Sequence, residues 1–118
     1  VDESIGRGLA YLKNEGLDKN TIVIYMGDNG FIFGEHGLID KRSAYEPSMR
    51  VPLLVRGPVV VKPGIKVPQM VMNIDIAPTI MEMAGMTTPE NMQGRTFFPL
   101  LKGEKVSSWR GRIFYEYY

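Results

Sequence analysis

The chain has 118 residues, 44% hydrophobic and 23% charged, proportions ordinary for a soluble globular protein and sufficient for at most one domain with a modest core. Fourteen basic against thirteen acidic side chains leave a formal charge of +1, which gives no electrostatic reason to expect nucleic acid or an anionic membrane as a partner. Cysteine is absent, so disulfides, thiolate metal sites and a cysteine nucleophile are all excluded within these residues.

Val1, Ile5, Leu9 and Leu12 recur at spacings of three and four, with Asp2 and Glu3 early, Lys13 late and Gly16 as a stop. This pattern predicts an amphipathic helix that covers a sheet. Thr21 to Met26 is apolar on both alternating faces, as expected of a strand buried on both sides in a parallel sheet. From Gly27 to about Met49 no period is sustained, and a connection that long inside a compact chain is usually functional. Val51 to Gly57 reads as a second buried strand with Pro52 at its beginning, and Pro58 to Gln69 as extended chain broken by a Pro63-Gly64 turn. Asp75 is a plausible N-cap for a second covering helix that carries Ile76, Ile80, Met83 and Ala84 on one face and stops at Gly85. The remainder, Met86 to Tyr118, is loop-rich, with a helical turn at Phe97 to Gly103 and an aromatic strand at the end. Helix, strand and helix in this order predict an α/β layer fold.

No apolar run approaches the roughly 18 residues of a membrane span, and Val1-Asp2-Glu3 is not the basic start of a signal peptide. The chain opens directly in a helical pattern and closes on "RIFYEYY" with no terminating signal. Both ends look cut, and the expectation is a piece of a longer protein.

The chemistry concentrates in "TIVIYMGDNGFIFGEHGLIDK", Thr21 to Lys41. In open parallel sheets ligands collect at the carboxyl ends of strands, and Asp28 and Asn29 follow such an end closely. A carboxylate with an amide carbonyl suits calcium or magnesium better than zinc. Two ligands are too few for calcium, and the tripeptide alone reads first as an Asp-Asn-Gly turn capping the strand. Lys41 lies twelve positions after Asn29, beyond glycines that let the backbone fold back. Returned to a metal site it would neutralise a substrate oxyanion; otherwise it is a solvated surface lysine. His36, the only histidine, can donate to an anion or shuttle a proton, or simply pack in its loop.

The same residues resemble the sulfatase family of the alkaline-phosphatase-like superfamily. "NTIVIYMGDNG", "FGEHGLIDK", "YEPSMRVPLLVRGP", "NIDIAPTIMEMAG", "QGRTFFPLLKGE" and "WRGRIFYEYY" look like the second half of a bacterial sulfatase in the family's order, over nearly the whole chain. The resemblance implies a partial alkaline-phosphatase-like layered α/β fold, with parallel strands and covering helices to about residue 85 and the start of a small C-terminal sheet region over about 86–118.

It also implies that Asp28 and Asn29 are the later two protein ligands of a calcium ion, and that Lys41 contacts a sulfate oxygen. His36 falls in a family motif as a pocket residue. Asp75 is taken as a helix cap, and Glu46 with Arg50 as a structural pair near the pocket wall. Sulfatases work through a formylglycine made in a Cys/Ser-x-Pro-x-Arg motif, and this chain contains no such motif. The expected role is therefore part of the site of a periplasmic or secreted sulfatase acting on a sulfated carbohydrate, with weak or no calcium binding by these residues alone. The rival within the superfamily is a phosphonate or phosphodiester hydrolase. The rival from another class is a non-catalytic structural module, which alone can expose a sheet edge and self-associate.

Overall fold

A computed structural model describes residues 1–58 and 61–116. The chain begins with α1 (Asp2–Asn14), acidic in its first turn and closed by Lys13, as the macrodipole favours. A single 3-10 turn, Asp18–Asn20, leads into β1 (Val23–Met26). The two short strands β2 (Ile32–Phe33) and β3 (Ile39–Asp40) follow, then α2 (Glu46–Met49), one turn long with a proline at its start. After β4 (Leu53–Arg56) come a 3-10 turn at Asn73–Asp75, α3 (Ile76–Met83) and the four-residue α4 (Phe98–Leu101).

The α/β class holds, but the expected parallel arrangement of the two main strands does not. β1 and β4 pair antiparallel, Val23 opposite Arg56 and Met26 opposite Leu53. A strand apolar on both faces carries no information about direction, which the connection decides. A parallel return needs a crossover, usually helical. Here the chain between the strands holds only the small ribbon and the single turn of α2, and it comes straight back, with Gly27 N–H donating to the Pro52 carbonyl at 3.3 Å. β1 is also half-buried along its whole length, and α1 contains no fully buried residue.

The core lies on the other side, where Val61, Phe97, Leu100 and Leu101 are buried together under Val55, Val71 and Ile76. The Lys62 N–H donates to the Leu101 carbonyl at 2.9 Å and fastens α4 to the segment after β4. The predicted aromatic strand is absent over Arg112–Glu116, where the backbone carries no ladder; its last two residues, Tyr117 and Tyr118, lie outside the described residues. Tyr115 instead sends its hydroxyl to the Arg42 carbonyl at 2.7 Å, a contact that sheet pairing of this segment would not require.

Asp75 organises this half of the molecule. Its side chain is completely buried and does not cap α3, as the sequence suggests, but faces three separate segments. It accepts the Met72 N–H at 2.8 Å, the Arg95 N–H at 2.8 Å and both guanidinium nitrogens of Arg110, with Nη2 at 2.8 Å. Burial pushes its pKa up, but the Arg110 guanidinium and the two backbone N–H groups outweigh burial and hold it below the usual carboxylate value. The surroundings are fitted to this pair. Gly94 passes so close to the 3-10 turn that a Cβ there would stand 1.9 Å from the Ile74 carbonyl oxygen. Thr79 donates to the Asp75 carbonyl at 2.6 Å and accepts the Phe97 N–H at 3.0 Å. The Trp109 indole donates to the Met70 carbonyl at 2.8 Å while Arg95 and Arg110 lie over its ring at 4.7 and 5.4 Å.

Because the folded pKa of Asp75 is depressed, its stabilisation is complete above the unfolded value of about 4 and is lost as pH falls through the folded value. Thermal unfolding followed across this range should show a melting temperature that drops steeply on the acid side. Asp75→Asn should lower the neutral plateau by the equivalent of about 3 kcal/mol, since it leaves Arg110 without its charge, and should flatten the acid limb; an unchanged acid limb would contradict the role given to the pair.

Candidate anion and metal site

The site is built at the end of β1. The strand stops at Met26, and two residues on the Asp28 carboxylate accepts the N–H of its neighbour Asn29 at 2.9 Å. The Gly30 N–H then donates to the Ser48 carbonyl at 2.9 Å, bringing the turn against α2. This approach admits no side chain, because a Cβ on Gly30 would stand 2.1 Å from the Pro47 carbonyl oxygen. On the opposite side Asn73 donates its amide to the Asp28 carbonyl at 2.9 Å. Asp28 and Asn29 are thereby held between α2 and the 3-10 turn that ends in Asp75.

The β2–β3 ribbon returns Lys41 to this turn. Ile32, fully buried, pairs with Asp40, and Phe33 with Ile39. A Gly34–Gly37 turn closes the ribbon, with Gly34 N–H donating to the Leu38 carbonyl at 3.0 Å. Asp40, the last residue of the ribbon, accepts the Lys41 N–H at 2.6 Å, the Arg42 N–H at 3.2 Å and Arg42 Nε at 2.9 Å. The Arg42 side chain and the Lys41 N–H keep its pKa below the ordinary value. With the backbone so fixed, Lys41 Nζ reaches Asn29 Oδ1 at 3.4 Å, a long contact of charge with dipole. Asn29 Nδ2 is occupied by the Gly30 carbonyl at 2.7 Å, which turns the amide oxygen to the lysine.

Of the residues chosen from the sequence, Lys41 therefore meets Asn29, whose neighbour in the chain is Asp28. His36 sits at the tip of the ribbon with a left-handed backbone (φ 59°) and stacks on Tyr45, ring centroids 4.1 Å apart. Among the described residues it makes no hydrogen bond to the other three. Glu46 and Arg50 form the expected pair at 3.4 Å on the exposed face of α2. The sequence reading passed over Asp40, whose position before two cations is a readable turn signal, and Asn73 and Tyr115, whose contacts span 45 and 73 residues and leave no local trace.

A carboxylate and an amide oxygen, both hard donors, fit calcium or magnesium in kind. They fall short in number, and the described residues hold no group of three or more His, Asp or Glu placed to share an ion. A neighbouring ammonium adds the ability to receive an oxyanion.

The chain superposes over its whole length, with a TM-score of 0.94 and 42% identity, on 24% of a protein solved in complex with D-glucosamine-2-N,6-O-disulfate. It superposes over 93% of its length, TM-score 0.87 and 36% identity, on 22% of a phosphonate monoester hydrolase from Silicibacter pomeroyi. In sequence it is 43% identical over 120 positions to an N-acetylglucosamine-6-O-sulfatase of Bacteroides thetaiotaomicron, covering all of this chain and 22% of that protein. It is 39% identical over 119 positions to the human N-acetylglucosamine-6-sulfatase, covering 99% of this chain and 21% of that protein. The family model for the C-terminal part of N-sulphoglucosamine sulphohydrolase matches residues 34–118. The chain belongs to the sulfatase family, with the alkaline-phosphatase-like fold, and spans about a fifth of the length of the curated relatives it matches.

The close approach at Gly30 can be tested directly. Gly30→Ala should displace the Asp28-Asn29 turn and cost about 2 kcal/mol or more in denaturant unfolding. Gly111→Ala, where a Cβ meets nothing within 4 Å, should be near neutral; equal effects of the two would refute the packing described.

Proposed function

We propose that this chain is the C-terminal part of an enzyme that hydrolyses a sulfate ester on a sulfated sugar, with a 6-O-sulfated glucosamine as the substrate class. The observation that carries the chemistry is the return of Lys41 to Asn29 across the twelve-residue ribbon. The substrate class is supported by the relatives, two of which are named N-acetylglucosamine-6-sulfatases or 6-O-sulfatases, and by the similar protein solved with a glucosamine disulfate.

In this reading Asp28 and Asn29 would provide two of the oxygens that hold a calcium ion, whose chemistry would be to draw negative charge from the sulfate oxygens. The remaining ligands, and the formylglycine nucleophile that the family uses, would come from parts of the protein outside these 118 residues. Lys41 binds a sulfate oxygen and orients the group. As the ester bond breaks, negative charge accumulates on the bridging and sulfate oxygens, and an ammonium already brought to Asn29 offsets it. His36, backed by Tyr45, forms part of the pocket wall. A periplasmic or secreted location belongs to the same reading and rests on the family resemblance alone.

A second reading, hydrolysis of a phosphonate or phosphodiester, is favoured by the likeness to the Silicibacter enzyme. Tetrahedral oxyanions of sulfur and phosphorus make similar demands on a cation and an ammonium.

With the full-length protein, an aryl sulfate should be turned over faster than an aryl phosphodiester; the reverse order would select the second reading. Lys41→Ala should lower kcat by about a hundredfold or more with the fold intact, and Asp28→Ala should abolish calcium-dependent turnover. The isolated 118 residues should hydrolyse neither ester with calcium present, and metal-dependent turnover by them would refute the assignment of the nucleophile to another part of the protein.

A further inference from the structure

The contacts around Asp28, Asn29 and Lys41 form a closed circuit through residues to which the sulfatase reading assigns no role. Asn73 Nδ2 holds the Asp28 carbonyl at 2.9 Å. Asn73 opens the 3-10 turn that ends in Asp75, and the Asp75 carboxylate grips Arg110. Five residues beyond Arg110, the Tyr115 hydroxyl donates to the Arg42 carbonyl at 2.7 Å. Arg42 follows Lys41, whose ammonium comes back to Asn29 at 3.4 Å, next to the Asp28 where the circuit began.

We propose that residues 110–115 are a strap that positions Lys41, with Tyr115 as the positioning residue and the buried Asp75–Arg110 pair as its anchor. The need for a strap is physical. Lys41 lies at the end of a two-residue strand in an exposed loop, and Asp40 fixes only the local backbone. A long flexible side chain on such a loop delivers its charge reproducibly only if the loop is tied to something rigid. Tyr115 supplies the tie from a segment whose other end is fastened to a fully buried carboxylate. The Asn73 bond fastens the Asp28 side to the same anchor, so both ends of the oxyanion site are referred to one fixed point.

This inference rests on the sulfatase reading for its kinetic arm and on the structure alone for its exchange arm. The test uses the full-length protein and Tyr115→Phe, which removes the donor and keeps the ring. Amide hydrogen exchange in the segment 38–44 should accelerate about three- to tenfold, the loss expected of one hydrogen bond, with the melting temperature unchanged. On an aryl sulfate, kcat should fall by a similar factor while KM stays within twofold, because the tie orders the lysine for bond breaking more than for binding. Arg110→Lys, which retains a charge but loses the forked grip, should produce the same acceleration in 38–44. Unchanged exchange in Tyr115→Phe would overturn the strap. Faster exchange with unchanged kcat would overturn the positioning role. If the wild-type protein hydrolyses no sulfate ester, the sulfatase reading fails while the exchange result still decides whether the strap exists.

Discussion

A carboxylate with no exposed surface is stable in a protein only if its charge is met on several sides, and Asp75 meets that condition with one guanidinium and two backbone N–H groups. The partners come from 72, 95 and 110, so satisfying a single charge fixes the relative position of three stretches that share no regular secondary structure with one another. Most of the C-terminal third depends on this constraint. It contains one four-residue helix and long irregular runs, and a chain of that kind holds a definite shape only through specific polar contacts. The Trp109 indole bond, the stacking of two arginines on its ring and the close passage of Gly94 all lie around the same carboxylate.

The candidate site stands at the boundary between that fixed region and the more open half formed by α1 and the β1–β4 pair. Asp28 is bonded through its carbonyl to the turn that ends in Asp75, whereas Lys41 arrives on a two-residue ribbon held by the buried Ile32. Asp28 is referred to the buried carboxylate through Asn73, and the loop that carries Lys41 is tied to the same region by the Tyr115 hydroxyl on the Arg42 carbonyl. Gly30 is the joint between them, its backbone pressed against α2 more closely than any side chain would permit.

What could be read from the sequence follows the range of the interactions involved. Periodicity over eight or more residues marked α1 and α3, and short apolar runs marked β1 and β4 to within a few residues. The direction of the strand pair was not legible, because an alternation apolar on both faces is symmetric with respect to reversal. Asp28, Asn29 and Lys41 could be singled out because their types and their place after a strand end carry chemical meaning, and the twelve-residue return was a matter of glycines and turn residues. The hub was not. Asp75 presents the local signature of a helix cap, and only contacts 20 and 35 residues away show that its carboxylate faces elsewhere. The terminal aromatics read as a strand by composition, yet Tyr115 is used for its hydroxyl.

The half-buried state of β1 and the absence of any fully buried residue in α1 have a further consequence. In these residues the two halves of the chain differ in the free energy needed to open them locally, since opening free energy follows the apolar area and protected backbone bonds given up. No residue of α1 belongs to the core around Phe97 and Leu100, so in the isolated 118 residues α1 is the element whose opening gives up least. The contact between Asn29 and Lys41 lies outside that helix, so opening α1 in the isolated residues would leave it in place.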